Sequence, residues 1–101
     1  MNEGFRESFR LQGLAGGIKG QYDCVREFSE VDYTEDLKRI DRPTLIIHGG
    51  DDQIVPIAAA ADKAAKLVKG STYKVCEGSS HGLAPIEADR FNADVLEFVK
   101  A

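Results

Sequence analysis

The second half of the chain alternates between short apolar runs and longer segments with helical spacing. Residues 44–47, TLII, form an unbroken apolar run after Pro43, which is typical of a strand buried on both faces of a parallel sheet. Residues 56–69 have apolar positions at helical spacing, and residues 72–76 predict a second strand. We expect a last helix, capped by Asn92, to reach the C-terminus.

The first 40 residues have a weaker helical pattern. Residues 1–13 place a few apolar side chains among charged ones, which predicts only a turn or two. Apolar residues recur every three or four positions over residues 14–28, so we expect a helix there, with a ragged start because glycines crowd its beginning. Thr34 is expected to cap a short turn over residues 35–40.

The order strand, helix, strand, helix over residues 41–101 predicts an α/β fold. Two parallel strands joined by a helical crossover form a right-handed βαβ unit. We therefore expect a helical segment over residues 1–40, followed by the α/β part over residues 41–101. A two-stranded parallel sheet needs cover on both faces and is not stable alone. Either more sheet comes from another segment or partner, or the chain is a piece of something larger.

The net charge and the two cysteines indicate which partners to exclude and which cellular compartment to expect. The 101 residues carry a net charge of −4, which argues against nucleic acid or an anionic membrane as a partner. No segment approaches the roughly 20 apolar residues that span a bilayer, and no secretory signal pattern opens the chain. Cys24 and Cys76 lack the spacing of metal ligands, so we interpret them as reduced thiols of a cytoplasmic protein.

Two polar residues that follow the predicted strands suggest acid–base chemistry. Asp52 lies just past the first strand, and His81 lies five residues past the second. Adjacent parallel strands are about 4.8 Å apart, so loops that leave the same edge can bring such side chains within hydrogen-bond reach. A carboxylate bound to one imidazole nitrogen leaves the other as a general base. The alternatives are a helix-capping Asp with an ordinary loop histidine, and Asp51 in place of Asp52.

Other residues of these segments also invite a chemical interpretation. Residues 78–82 match G-x-S-x-G around Ser80, but a nucleophile elbow does not contain its histidine, so we expect Ser80 to satisfy loop backbone groups. His48 is a candidate second base, although a structural role is preferred for a histidine beside glycines. The two histidines with Asp51 and Asp52 lack metal-ligand spacing, and no metal is expected.

These motifs resemble the C-terminal part of an α/β-hydrolase, whose fold is a three-layer sandwich. The matching segments are GGDDQIVP, SSHG, DLKRIDRPTLIIHG and NADVLEFVK, and the likeness is to the cofactor-free (non-heme) chloroperoxidases, also called perhydrolases, and related aryl esterases. The stretch GIKGQYDCVREFSEVDYTEDL is similar to the end of that group's helical cap, so the resemblance makes residues 1–40 cap-derived. It implies Asp52 as the triad acid, with Asp51 in reserve, and His81 as the base.

The resemblance also implies a function. We expect ester hydrolysis, with perhydrolysis of carboxylic acids by peroxide as a related activity, on a small carboxylic ester or acid and without a metal or organic cofactor. The family's nucleophilic serine and oxyanion hole lie on earlier strands to which nothing here corresponds. The chain therefore needs the missing N-terminal part of the fold and is expected to be inactive alone. The alternative is a non-enzymatic binding or assembly module, derived from a hydrolase tail, that forms homo-oligomers through an exposed sheet edge.

Overall fold

Helices alone make up the first of the two units into which the chain divides. A computed structural model describes residues 2–101, in which residues 2–33 form one unit and Thr34–Ala101 form the other. The first unit contains helix α1, Glu3–Gly16, and helix α2, Ile18–Glu30. The short helix α3, Thr34–Lys38, belongs to the second unit.

Helix α1 is longer than the sequence pattern predicts. Apart from Met1, which lies outside the described residues, the expected turn or two over residues 1–13 is part of a 14-residue helix. The side chain of Asn2 caps it by accepting a hydrogen bond from the Phe5 amide at 2.8 Å. Gly17, with a φ of 71°, ends it and splits the single helix expected over residues 14–28. Apolar residues continue at helical spacing on both sides of Gly17, so their spacing does not reveal the break in the backbone.

The apolar residues predicted to share one helical face over residues 14–28 are exposed, and the break at Gly17 leaves Leu14 on α1 and the others on α2. Ile18 is 91% exposed, and Leu14, Tyr22, Val25 and Phe28 are also open to solvent. Phe9 and Leu11 of α1 are exposed as well. Helical spacing therefore does not say what covers an apolar face.

The second unit contains a parallel two-stranded sheet and four helices. Its elements in order are α3 (Thr34–Lys38), β1 (Leu45–Gly49), a 3₁₀ turn (Ile57–Ala59), α4 (Ala61–Leu67), β2 (Thr72–Cys76), α5 (Leu83–Ile86) and α6 (Ala88–Lys100). The strands pair in parallel from Leu45 opposite Thr72 to Gly49 opposite Cys76. The predicted α/β class and the strand–helix–strand order are confirmed.

The crossover between the strands is not the continuous helix expected over residues 56–69. A 3₁₀ turn over Ile57–Ala59 precedes Ala60, whose φ of −128° and ψ of −83° interrupt the helical path before α4 begins. A 3₁₀ turn and an α-helical turn space their apolar residues similarly over three or four positions, so periodicity does not separate them. Two of the apolar positions at helical spacing, Ala61 and Val68, are nevertheless buried as expected.

The C-terminal helix begins earlier than predicted. Asn92 lies inside α6 rather than capping it, because α6 starts at Ala88 after the short helix α5. The carbonyl of Glu87 accepts a hydrogen bond from the Phe91 amide at 3.0 Å, so the first turn forms without a side-chain cap. Lys74 of β2 donates to Asp94 and Glu97 of this helix, at 3.0 and 2.7 Å, and joins it to the strand.

The buried core of the second unit lies around the crossover and the end of β2. Its buried apolar residues are Ala61, Val68, Cys76 and Leu83. In β1 only Gly49 is buried, and the other four residues are partly exposed, so the expectation of a strand buried on both faces is wrong for the described chain. The described helices do not cover both faces of the two-stranded sheet, so most of β1 stays partly exposed.

Candidate active site

The loops that follow the two strands are joined by backbone hydrogen bonds at one edge of the sheet. The Gly50 amide donates to the Cys76 carbonyl at 2.9 Å, and the Asp51 amide donates to the Ser79 carbonyl at 3.0 Å. Parallel pairing therefore continues beyond the strands, and each loop is placed relative to the other by the main chain. The side chains of both loops consequently occupy the carboxyl edge of the sheet, where α/β folds bind ligands.

Gly49 allows this close approach. A Cβ atom at that position would lie 2.4 Å from the Ser79 carbonyl oxygen and 2.6 Å from the Ser80 carbonyl oxygen. Backbone oxygens cannot move away as a flexible side chain would, so any larger residue would separate the two loops. The sequence analysis missed this role in loop contact, although glycine beside a strand is a signal of close backbone approach.

Asp52 is a buried carboxylate with three hydrogen-bond donors. Only 3% of its side chain is exposed. Its Oδ1 accepts from the amides of Ile54 (2.9 Å) and Val55 (2.8 Å), and its Oδ2 accepts from His81 Nδ1 at 2.8 Å. Burial acts to raise the pKa of Asp52, but the bonds from Val55, His81 and Ile54 together outweigh it and lower the pKa to about 2. The carboxylate is therefore ionised at neutral pH.

His81 receives a defined tautomer from this contact. An ionised carboxylate only accepts hydrogen bonds, so Nδ1 of His81 must be the donor in the 2.8 Å contact with Asp52. In the neutral ring the lone pair then lies on Nε2. About half of the side chain, 51%, is exposed, which leaves the ring accessible. This arrangement suits a general base whose orientation is set by a carboxylate.

The neighbouring aspartate does not share this environment. Asp51 is exposed, and its Oδ1 accepts a hydrogen bond from the side chain of Gln53 at 2.8 Å. Of the two acidic candidates, the structure brings Asp52 to His81 and leaves Asp51 at the surface. Spacing alone did not separate them, because the deciding factor is which carboxylate turns inward toward the amides of its own loop.

Ser80 has the geometry of a loop residue. It is exposed, and its Oγ accepts a hydrogen bond from the Gly82 amide at 3.3 Å. This is the backbone-satisfying role expected from the sequence, and no strand–turn–helix elbow surrounds the residue. The preceding Ser79 is buried, and its hydroxyl has no hydrogen-bond partner among the described residues.

The second histidine lies against the same carboxylate. His48 Nε2 is 2.8 Å from the Val55 carbonyl oxygen and 3.3 Å from Asp52 Oδ2, and 14% of its side chain is exposed. Sequence reasoning considered it only as a base or a structural residue and missed its link to Asp52. Within residues 2–101, no group of three or more His, Cys, Asp or Glu side chains is arranged to bind a metal.

Comparison with known proteins agrees with the fold and with the motifs. The sequence model of the family described as "alpha/beta hydrolase fold" matches residues 7–87. That match covers most of the chain. The chain belongs to the α/β-hydrolase fold family.

Its relatives place it near one group within that family. The chain is 50% identical over 101 residues to a non-heme chloroperoxidase of Burkholderia pyrrocinia, covering 100% of this chain and 36% of the relative. It is 43% identical over 90 residues to a bifunctional esterase/perhydrolase of Acinetobacter calcoaceticus, covering 89% and 33%. The predicted resemblance to the non-heme chloroperoxidases is confirmed, and the chain spans about a third of these proteins' length.

A solved structure shows the same likeness in three dimensions. The crystal structure of a bromoperoxidase from Bacillus anthracis superposes with a TM-score of 0.81 at 37% sequence identity. The match covers 94% of this chain and 36% of that chain. Among the described residues, no helix is both long enough and apolar enough to cross a membrane.

Proposed function

We propose that this chain provides the acid and the base of a Ser-His-Asp triad for ester hydrolysis, with Asp52 as the acid and His81 as the base. The observation that carries the proposal is the 2.8 Å contact between the buried Asp52 carboxylate and His81 Nδ1. The names of the relatives, which include a bifunctional esterase/perhydrolase, support the same class of reaction. In this proposal the nucleophile and the oxyanion hole come from the part of the hydrolase fold outside these residues.

In the proposed reaction Nε2 of His81 accepts the proton of the serine hydroxyl while the serine oxygen attacks the ester carbonyl. His81 then returns that proton to the alcohol, which leaves as the acyl-serine forms. Asp52 keeps the ring oriented and stabilises the imidazolium, because its carboxylate already accepts the Nδ1 hydrogen. A water activated by His81 releases the acid and restores the serine. No metal or organic cofactor enters these steps.

Perhydrolysis is the same reaction with a different acceptor. Hydrogen peroxide replaces water in the second half, its proton passes to His81, and the acyl group leaves as a peracid. A peracid oxidises halides, which would connect an esterase site with the haloperoxidase and chloroperoxidase names of the relatives. We propose small carboxylic esters and acids as the substrates of the complete enzyme.

The rest of the hydrolase fold is the partner that this proposal requires. We propose that residues 1–40 derive from the helical cap and that the remaining fold covers apolar side chains now open to solvent, such as Phe28 and Ile54 at 76% and 73% exposure. The two free thiols, Cys24 and Cys76, fit a reducing compartment, and we propose the cytoplasm.

A chimera tests the function. The segment of the Burkholderia pyrrocinia chloroperoxidase that aligns with this chain is replaced by these 101 residues, which share 50% identity with it. We expect hydrolysis of a p-nitrophenyl ester, and a loss of about 10⁴-fold or more in kcat for His81→Ala. Ser80→Ala is the matched control and should retain activity, since the Ser80 hydroxyl accepts a hydrogen bond from the Gly82 amide of its own loop. A folded chimera that is inactive, or one indifferent to His81→Ala, would reject the proposal.

A second candidate function follows from the exposed apolar surface. If the chain is a binding or assembly module, the partly exposed β1 and the open apolar side chains would associate with a second copy. Size-exclusion chromatography at two concentrations distinguishes this reading. A dimer that grows with concentration and survives Asp52→Asn would favour the module, whereas a monomer at both concentrations would remove it.

A further inference from the structure

Two histidines meet the same carboxylate oxygen, and the triad chemistry uses only one of them. His81 Nδ1 lies 2.8 Å from Asp52 Oδ2, and His48 Nε2 lies 3.3 Å from that same atom. His48 is the fourth residue of β1, directly opposite Val75 of β2. Its position therefore depends on the sheet rather than on a loop.

The hydrogen-bond partners define the proton on His48. Nε2 lies 2.8 Å from the carbonyl oxygen of Val55 as well as 3.3 Å from Asp52 Oδ2. A carbonyl oxygen and an ionised carboxylate are both acceptors, so Nε2 of His48 must carry a hydrogen. Its principal bond is the shorter one, to Val55, and the carboxylate lies beside that bond.

Val55 connects His48 with the acid. The amide of Val55 donates to Asp52 Oδ1 at 2.8 Å, while its carbonyl accepts from His48 Nε2 at 2.8 Å. One residue thus fixes the carboxylate with its N–H and is itself fixed to β1 through its C=O. Val55 therefore connects the turn that contains Asp52 to β1, and the same residue orients the Asp52 carboxylate.

We infer that His48 is a positioning residue, which orients the Asp52 carboxylate through Val55 so that Oδ2 faces His81. The inference rests on the proposed function in that Asp52 is taken as the triad acid. It assigns His48 no proton transfer to substrate. A second base would need a free lone pair on an accessible nitrogen, whereas Nε2 of His48 is a donor and only 14% of the side chain is exposed.

A matched pair of substitutions isolates this role. Glutamine places its amide nitrogen near the position of Nε2 and can still donate to the Val55 carbonyl. Asparagine is similarly polar and uncharged, but its amide ends near the position of Nδ1 and falls short of Val55. His48→Gln should therefore keep the arrangement, and His48→Asn should lose it. Val75→Ala is a control for general loosening of the strands, because Val75 pairs with His48 and is not bonded to the Asp52 loop.

The readout is the proton on His81, measured on the whole 101-residue chain by ¹H–¹⁵N correlation of the imidazole nitrogens at about pH 8. In the wild type and in H48Q we expect a protected Nδ1–H signal from His81. In H48N we expect that signal to fall at least about threefold as the ring divides between tautomers. V75A should retain it. No ester turnover is needed, so an inactive chimera would reject the proposed function and leave this measurement intact.

The other outcomes all count against the inference. A wild type without a protected His81 Nδ1–H signal would overturn it, as would a folded H48N with full signal or a V75A that loses as much as H48N. If H48N does not fold, His48→Leu replaces it, and the same loss of the His81 Nδ1–H signal is expected. If both fail to fold beside folded H48Q and V75A, the bond supports the whole fold rather than the carboxylate, and the positioning role is rejected.

Discussion

The loop after β1 and the loop after β2 leave the same edge of the sheet, but the side chains of Asp52 and His81 differ in burial and in hydrogen bonding. Asp52 has 3% of its side chain exposed and accepts three hydrogen bonds, two of them from its own loop. His81 has 51% exposed, and its only hydrogen bond among the described residues is to Asp52. Asp52 is held by its local backbone, and His81 is held by Asp52.

This difference matches what each group would do in a hydrolase. An orienting carboxylate acts best when it is immobile and ionised, because it must not reorganise as the imidazolium forms. A general base has to reach the reacting hydroxyl and a water, which needs an accessible ring. The orientation of His81 therefore depends on the Asp52 loop, so a substitution of Asp52 should impair activity more than a similar substitution of a neighbouring residue.

The largest effect should come from breaking the acid. In the chimera described above, Asp52→Asn should lower kcat by about 10⁴-fold, because an amide donor facing Nδ1 favours the tautomer with a proton on Nε2 and removes the base. Ester hydrolysis under substrate saturation measures it. Asp51→Asn is the matched control: its carboxylate is at the surface, bonded to Gln53, so activity should stay near the parent value. Equal losses in the two variants would contradict the distinction between them.

A smaller effect should come from separating the loops. Gly49→Ala places a Cβ 2.4 Å from the Ser79 carbonyl oxygen, and it should lower the free energy of unfolding by about 1–3 kcal/mol and weaken the Asp52–His81 contact. Urea unfolding of the chain measures the change. Gly50→Ala adds the same methyl group one residue later, where the nearest atom is 3.4 Å away and belongs to the Glu77 side chain. Comparable destabilisation by both variants would show that the close approach at Gly49 is not what positions the loops.

The smallest effect should appear as a pH dependence. The pKa of Asp52 is lowered from 3.8 to about 2 in the folded chain, so its carboxylate contributes stability above pH 3.8 that is lost as the pH falls toward 2. Thermal unfolding of the wild type and Asp52→Asn, compared from about pH 6 downward, isolates this group from the other carboxylates. The stability difference should be constant above about pH 5 and shrink below it. A difference that does not change with pH would show that the hydrogen bonds at Asp52 do not favour its ionised form.

Local patterns were enough to place the elements that carry the site. The run TLII, the glycine pair after it and the alternation over residues 72–76 predicted two parallel strands, and β2 has the predicted bounds. A parallel pair with one crossover has both carboxyl ends at one edge, so the meeting of the residue-52 and residue-81 loops followed from topology. The likeness to non-heme chloroperoxidases followed from the same motifs.

Other features became visible only in the folded chain. The close approach of Gly49 to the Ser79 carbonyl and the link from His48 through Val55 join atoms that sequence spacing does not order. The resemblance implied Asp52 rather than Asp51, but the burial of Asp52 and its contact with His81 appear only in the structure. The breaks at Gly17 and Ala60 likewise left the apolar spacing unchanged. Hydrophobic periodicity and strand order are local properties, so they were enough to predict which edge of the sheet carries the candidate site. Which atoms face each other at that edge depends on distances of about 3 Å between segments far apart along the chain, and these distances are set only when the chain folds.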